Sequence, residues 1–178
     1  MIKASVGALM LLSFGPSVDY SVGCASLLPP AAQVKIEPMV RHGWRIVTLN
    51  DLPADDQALW KQYHVGKCPG VSVGQFRDAD KTSYAVALLK GHSPGKYIEQ
   101  LRLIMPVSNS LSLISVVTPT QVSTPFVVWT VPPGRSTGMG GEPVVNLRTD
   151  SFVYEKMEAS ATQYYFRDGQ LHTLHTAN

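Results

Sequence analysis

Residues 91–95, Gly91-His92-Ser93-Pro94-Gly95, spell the G-x-S-x-G of a nucleophile elbow. Asp150, followed by His172 or His175, would complete a triad in the chain order that motif expects. The chemistry fails at one position. The elbow uses the backbone N–H after the nucleophile to stabilise the oxyanion. Here that residue is Pro94, which has no N–H. Both flanks also read as strands, where the elbow needs a strand followed by a helix. A Gly-Pro turn is the expectation, and an envelope hydrolase using Ser93 or Cys68 with a histidine stands only as an alternative.

His172 and His175 suggest a metal pair, but three residues apart on a strand they point to opposite faces. His42 and His64 are isolated, so no metal and no cofactor are expected. The Gly-rich segment 132–143 contains Arg135, Ser136, Thr137 and Met139. Its backbone N–H groups could cradle an anion, but a phosphate loop would need Gly-Lys-Ser/Thr opening a helix. It reads as a mobile loop between strands and as a contact surface. Tyr164 and Tyr165 are adjacent, so they cannot both face inward on one strand, and one exposed ring is expected as a further contact.

Cys24 and Cys68 are the only thiols. Lys3 precedes an apolar or small run over residues 4–14, which Gly15 and Pro16 end. At about eleven residues, the run falls short of the roughly 20 that cross a bilayer. It fits a secretory signal over residues 1–25, cut after Ala25, with a mature domain over 26–178. Ser21-Val22-Gly23-Cys24 also reads as a lipobox, with Ser21 where Leu is usual. The fate of Cys24 therefore has three outcomes: removal with the signal, lipidation, or a disulfide with Cys68 in an oxidising compartment.

Residues 75–85, continuing into Val86-Ala87-Leu88-Leu89, resemble one degenerate unit of the FG-GAP type, whose acidic loop commonly binds calcium. The ligand positions hold Gln75, Arg77, Ala79 and Ser83, while Asp78 and Asp80 fall at glycine positions. The resemblance therefore implies a turn and a strand without an ion site. More broadly, the chain is similar to exported bacterial proteins of no agreed activity. These share a Trp-containing helix, a turn like Cys68-Pro69-Gly70, and a final hairpin like Tyr164-Tyr165-Phe166-Arg167-Asp168-Gly169. That likeness implies a fold and an address.

The elements that must position these residues follow from composition and periodicity. With 178 residues, 44% hydrophobic and 16% charged, the chain forms one globular domain after the signal. Its net charge of +2 and the lack of any run of basic residues exclude a nucleic-acid footprint. Residues 27–32 are Pro-rich and read as a flexible lead-in. Asn50 or Asp51 can cap a helix that Pro53 opens and that ends near His64, with Leu59, Trp60 and Tyr63 on its apolar face. From residue 66 on, β-branched and aromatic runs alternate with turn residues, and Asp168-Gly169 marks a hairpin.

The expectation is an α+β domain, a mainly antiparallel sheet of roughly seven to nine short strands with one N-terminal helix. Its function reads as a non-enzymatic exported domain, periplasmic or secreted, that binds another macromolecule. The partner expected is a periplasmic protein, in an inhibitor- or immunity-like role. A lipoprotein of structural or assembly role tethered at Cys24 is the remaining alternative, and only that lipid would bring the chain to a membrane.

Overall fold

The computed structural model describes residues 23–91 and 96–176. The alternating and β-branched runs form eleven strands within that range. They are β1 (Arg45–Ile46), β2 (Val71–Gly74), β3 (Ser83–Lys90), β4 (Tyr97–Val107), β5 (Ser110–Val122), β6 (Val127–Val131), β7 (Gly134–Ser136), β8 (Val145–Leu147), β9 (Ser151–Lys156), β10 (Ser160–Arg167) and β11 (Gln170–Thr176). The count exceeds expectation, and β7, three residues inside the Gly-rich segment read as a loop, is too short to leave an alternating signature.

All pairings are antiparallel. In the first sheet β4 lies between β3 and β5, while β1 and β2 share the other edge of β3 end to end. The second sheet has the order β11-β10-β9-β6, and β7 and β8 form a separate hairpin.

The first sheet is covered on both faces. Ala85, Ala87 and Leu89 of β3 join Leu101, Leu103 and Met105 of β4 in the main core, against Val128, Phe152 and Tyr154 of the second sheet. Val86 and Leu88 point the other way and meet Leu28, Ala32 and Ile36. Double coverage explains why β3 reads as a continuous apolar run, not an alternating one.

The second cover comes from an element absent from the sequence reading. Residues 27–32 are not a flexible lead-in: a helix, α2 (Pro30–Arg41), starts inside them, preceded by a short turn of helix, α1 (Gly23–Ser26). Proline suits the first helical position, where its missing N–H costs nothing. Spacing of four residues then aligns Ala32 and Ile36 on the buried face, and Leu28, in the bend before the helix, packs with them. The expectation of one helix is corrected accordingly.

The foreseen helix is α3 (Ala54–Tyr63), but Asp51 does not cap it. The Asp51 carboxylate instead accepts bonds of 2.8 Å from Thr48 N–H and from the Thr48 hydroxyl, closing a 3₁₀ turn over Leu49–Asp51, and pairs with Arg45. Trp60 is fully buried, whereas Tyr63 stands in solvent, 68% exposed, and leaves the apolar face.

Cys68-Pro69-Gly70 ties the sheets together. The Gly70 carbonyl accepts from Ala87 N–H (2.9 Å), and the Pro69 carbonyl accepts from Val128 N–H (2.7 Å). Glycine is required at position 70, because a Cβ there would lie 2.2 Å from the Val47 carbonyl oxygen. Beside this turn, Cys68 forms a disulfide with buried Cys24, with Cα atoms 5.3 Å apart. A sulfur in this bond carries no thioether lipid and attacks no substrate. In the oxidised protein the bond is therefore incompatible with a lipid tether at Cys24 and with a Cys68 nucleophile. It is equally incompatible with a cut after Ala25, which would remove Cys24.

One ionisable group, Glu99, lies deep in the main core. Glu99 is fully buried, its carboxylate accepting Phe126 N–H at 2.9 and 3.2 Å and bonding the Tyr154 hydroxyl. Burial pushes its pKa up to about 8, more than these bonds pull it down.

Candidate functional site: a guanidinium-lined cleft

The β10–β11 hairpin turns on Asp168 (φ 52°) and Gly169 (φ 75°), the left-handed pair that a two-residue turn requires. This register pairs Arg167 with Gln170 and Tyr165 with His172. Two residues apart on β10, Arg167 and Tyr165 share a face, and the Arg167 guanidinium lies 5.8 Å from the Tyr165 ring centre. Tyr165 is covered by Val145 and Leu147 of β8, together with Leu174 of β11. Past Leu147 the chain continues into Arg148 and Thr149 at the same end of the sheet.

Two bonds bring a distant loop alongside. The Thr149 hydroxyl donates to the Phe76 carbonyl (2.8 Å), and Gln75 N–H donates to the Asp150 carboxylate (2.8 Å). They pin the connection between β8 and β9 to the one between β2 and β3, and so deliver Arg77.

The result is a cleft of about 490 Å³, with Arg77, Arg148 and Arg167 on its walls and Asn146, Thr149 and Tyr165 among them. Arg77 is held by the Asp78 carboxylate (3.1 Å from both Nε and Nη2) and by the Pro106 carbonyl (3.3 Å). Arg148 and Arg167 are exposed and make no ion pair among the described residues. A guanidinium stays charged at any physiological pH and presents a planar fork that matches carboxylate or phosphate oxygens. Asp168 lines the cleft beside the arginines, so the wall carries three guanidinium groups and one carboxylate. No nucleophile beside a base lines it.

The residues singled out in the sequence distribute unevenly around it. Tyr165 forms part of the wall, yet it is nearly buried and stacks on His172 (5.5 Å). Tyr164 faces the main core, stacked on Phe152 at 5.3 Å, so neither adjacent tyrosine is the free ring expected. The β7–β8 hairpin supplies the cover that the sequence reading lacked.

Arg135, on β7, stands opposite Asn146 in register and is exposed, but it is not part of the cleft lining. Ser136 points inward, accepting from Gln163 Nε2 (3.0 Å), which also donates to Ser151 (2.7 Å). Thr137 and Met139 are exposed. Residues 132–143 are not a free loop, however. Met139 N–H donates to the His175 carbonyl (2.8 Å), and His175 N–H donates to the Glu142 carboxylate (2.9 Å).

The remaining motif residues are engaged elsewhere. Asp150 serves the backbone of Gln75, and His175 Nδ1 lies 3.5 Å from the Thr162 hydroxyl, on the strand face opposite His172. Ser93 lies outside the described residues. Asp78 pairs with Arg77 and Lys81 across the turn before β3.

Sequence reasoning missed Arg77, Arg148 and Arg167. The Arg167-Asp168-Gly169 turn was a usable signal for one of them, while the other two depend on contacts 73 and 75 residues apart. No family model, curated protein or solved structure matches the chain.

Proposed function

We propose that the chain is an exported, non-enzymatic domain that binds another protein in the cell envelope, in an inhibitor- or immunity-like role. In this reading the guanidinium-lined cleft docks on an acidic surface of the partner. The observation that carries it is the pair of exposed arginines, Arg148 and Arg167, without carboxylate partners beside the fixed Arg77.

Arginine is enriched where protein interfaces concentrate their binding energy, because the fork pairs with carboxylates bidentately. Export accords with the apolar N-terminal run and with a disulfide, which persists in oxidising compartments. No described helix is long and apolar enough to cross a membrane. Retaining the disulfide requires the signal to be cut upstream of Cys24.

The test is affinity capture from envelope extract with the disulfide-bonded protein and with an Arg148→Glu/Arg167→Glu variant. Both positions are exposed, so the variant should melt with the parent protein. The expected result is a partner held at low salt, released as salt rises and absent from the variant. Identical capture by both proteins, or none by either, overturns the reading.

A further inference from the structure

The opposite end of β10 carries a second cleft of different chemistry. Eight residues of strand separate it from the arginines, about 25 Å at the usual rise. This cleft, of about 440 Å³, lies between α3 and the β9–β10 turn. Its floor is aromatic. His64 stacks on buried Trp60 with ring centres 4.1 Å apart and planes at 24°, and meets Trp129 at 5.1 Å. Trp60 is anchored by its indole N–H to the Lys67 carbonyl (3.0 Å), which gives the stack a rigid backing. Trp129 is oriented by its own indole N–H, which donates to the Glu155 carboxylate at 2.9 Å. Tyr63, largely exposed, forms the lip, and Glu155 and Glu158 complete the wall.

We propose that this cleft binds a protonated amine, the side chain of a lysine on a partner protein. The π faces of Trp129 and Tyr63 and the carboxylates of Glu155 and Glu158 receive the charge.

Three observations support that occupant. A cation over an aromatic face is attracted by the ring quadrupole, and nearby carboxylates add to that pull. Acidic groups gather at this end: burial, then the charges of Glu158, Asp55 and Glu155, raise the Asp56 pKa against the pull of Lys156. Burial lowers the pKa of His64, so its ring is uncharged at neutral pH and does not repel a cation. A sugar fits less well. Pyranose hydroxyls need donors as well as acceptors, and with the Trp129 N–H engaged only His64 and Tyr63 of this lining can donate, whereas an ammonium needs acceptors alone.

The test is a titration of the ¹⁵N-labelled, disulfide-bonded protein with Nα-acetyl-lysine methylamide, followed through the indole N–H resonances of its tryptophans. Parallel titrations use the neutral Nε-acetylated analogue and cellobiose. The expected result is a saturable shift of the Trp129 resonance in the millimolar range with the charged probe only. Tyr63→Ala and Glu158→Gln, both at exposed positions, should each weaken it by about threefold. Arg148→Glu should leave it unchanged, which separates this site from the basic cleft. No saturable shift, an equal response to the neutral analogue, or a response to cellobiose alone overturns the proposal.

Discussion

The two sheets are covered on their outer faces in opposite ways. Over the first sheet lie α1 and α2, which place Leu28, Ala32 and Ile36 on an apolar face and are bolted by the Cys24–Cys68 bond. Over the second lies the β7–β8 hairpin, apolar only at Val145 and Leu147 and otherwise held by the buried Gln163, Ser136 and Ser151 bonds. The hairpin is narrow and polar, and it leaves the end of its sheet open where the arginines gather. The difference teaches that one cover is apolar and cross-linked, whereas the other is polar and leaves exposed arginines at the end of its sheet.

The largest effect should come from breaking the first cover. Cross-linking residues 44 apart removes about 4 kcal/mol of denatured-state entropy in the chain-closure model. Cys24→Ser, or reduction, should therefore lower stability by about that amount in denaturant melts. An unchanged midpoint would show that α2 holds without its bolt. Gly70→Ala should cost about 2–3 kcal/mol, because its Cβ would press on Val47 backbone and on the Ile46 side chain.

Breaking the second cover should cost less and stay local. Gln163→Leu strands the Ser136 and Ser151 hydroxyls, at about 1–2 kcal/mol. Amide exchange should quicken at β7 and β8 and not at β3. Exchange that quickens equally across both sheets would erase the distinction between the two covers.

A pH-dependent effect concerns the core they share. The pKa of Glu99 is raised on folding, so its contribution to stability is full below the ordinary glutamate range and lost as pH rises through about 8. Thermal midpoints should decline between pH 5 and pH 9, and Glu99→Gln should flatten that slope. A wild-type slope that persists in the variant would place the titration elsewhere.

Local signals in this chain were legible where they were strong. Asp168-Gly169 announced its hairpin because a two-residue turn needs left-handed residues at both positions. The long β4 and the helix over Ala54–Tyr63 could be read from patterning and from Pro53. The helix starting at Pro30 was obscured by prolines that also suit a loop, although Ala32 and Ile36 carried its period. Tyr164 and Tyr165 misled for a related reason. Alternation says that two neighbours face opposite ways, not whether the second face is covered.

By itself, the sequence determined the β-rich class and the positions of several turns, since each rests on residues adjacent in the chain. Only the tertiary structure decided that Cys24 meets Cys68 and that Gln75 and Phe76 meet Asp150 and Thr149. With those contacts it also assembled Arg77, Arg148 and Arg167 around one cleft. Turn chemistry and periodicity act over a few residues, whereas a shared cleft depends on how sheets and covers pack, and no short stretch of sequence encodes that.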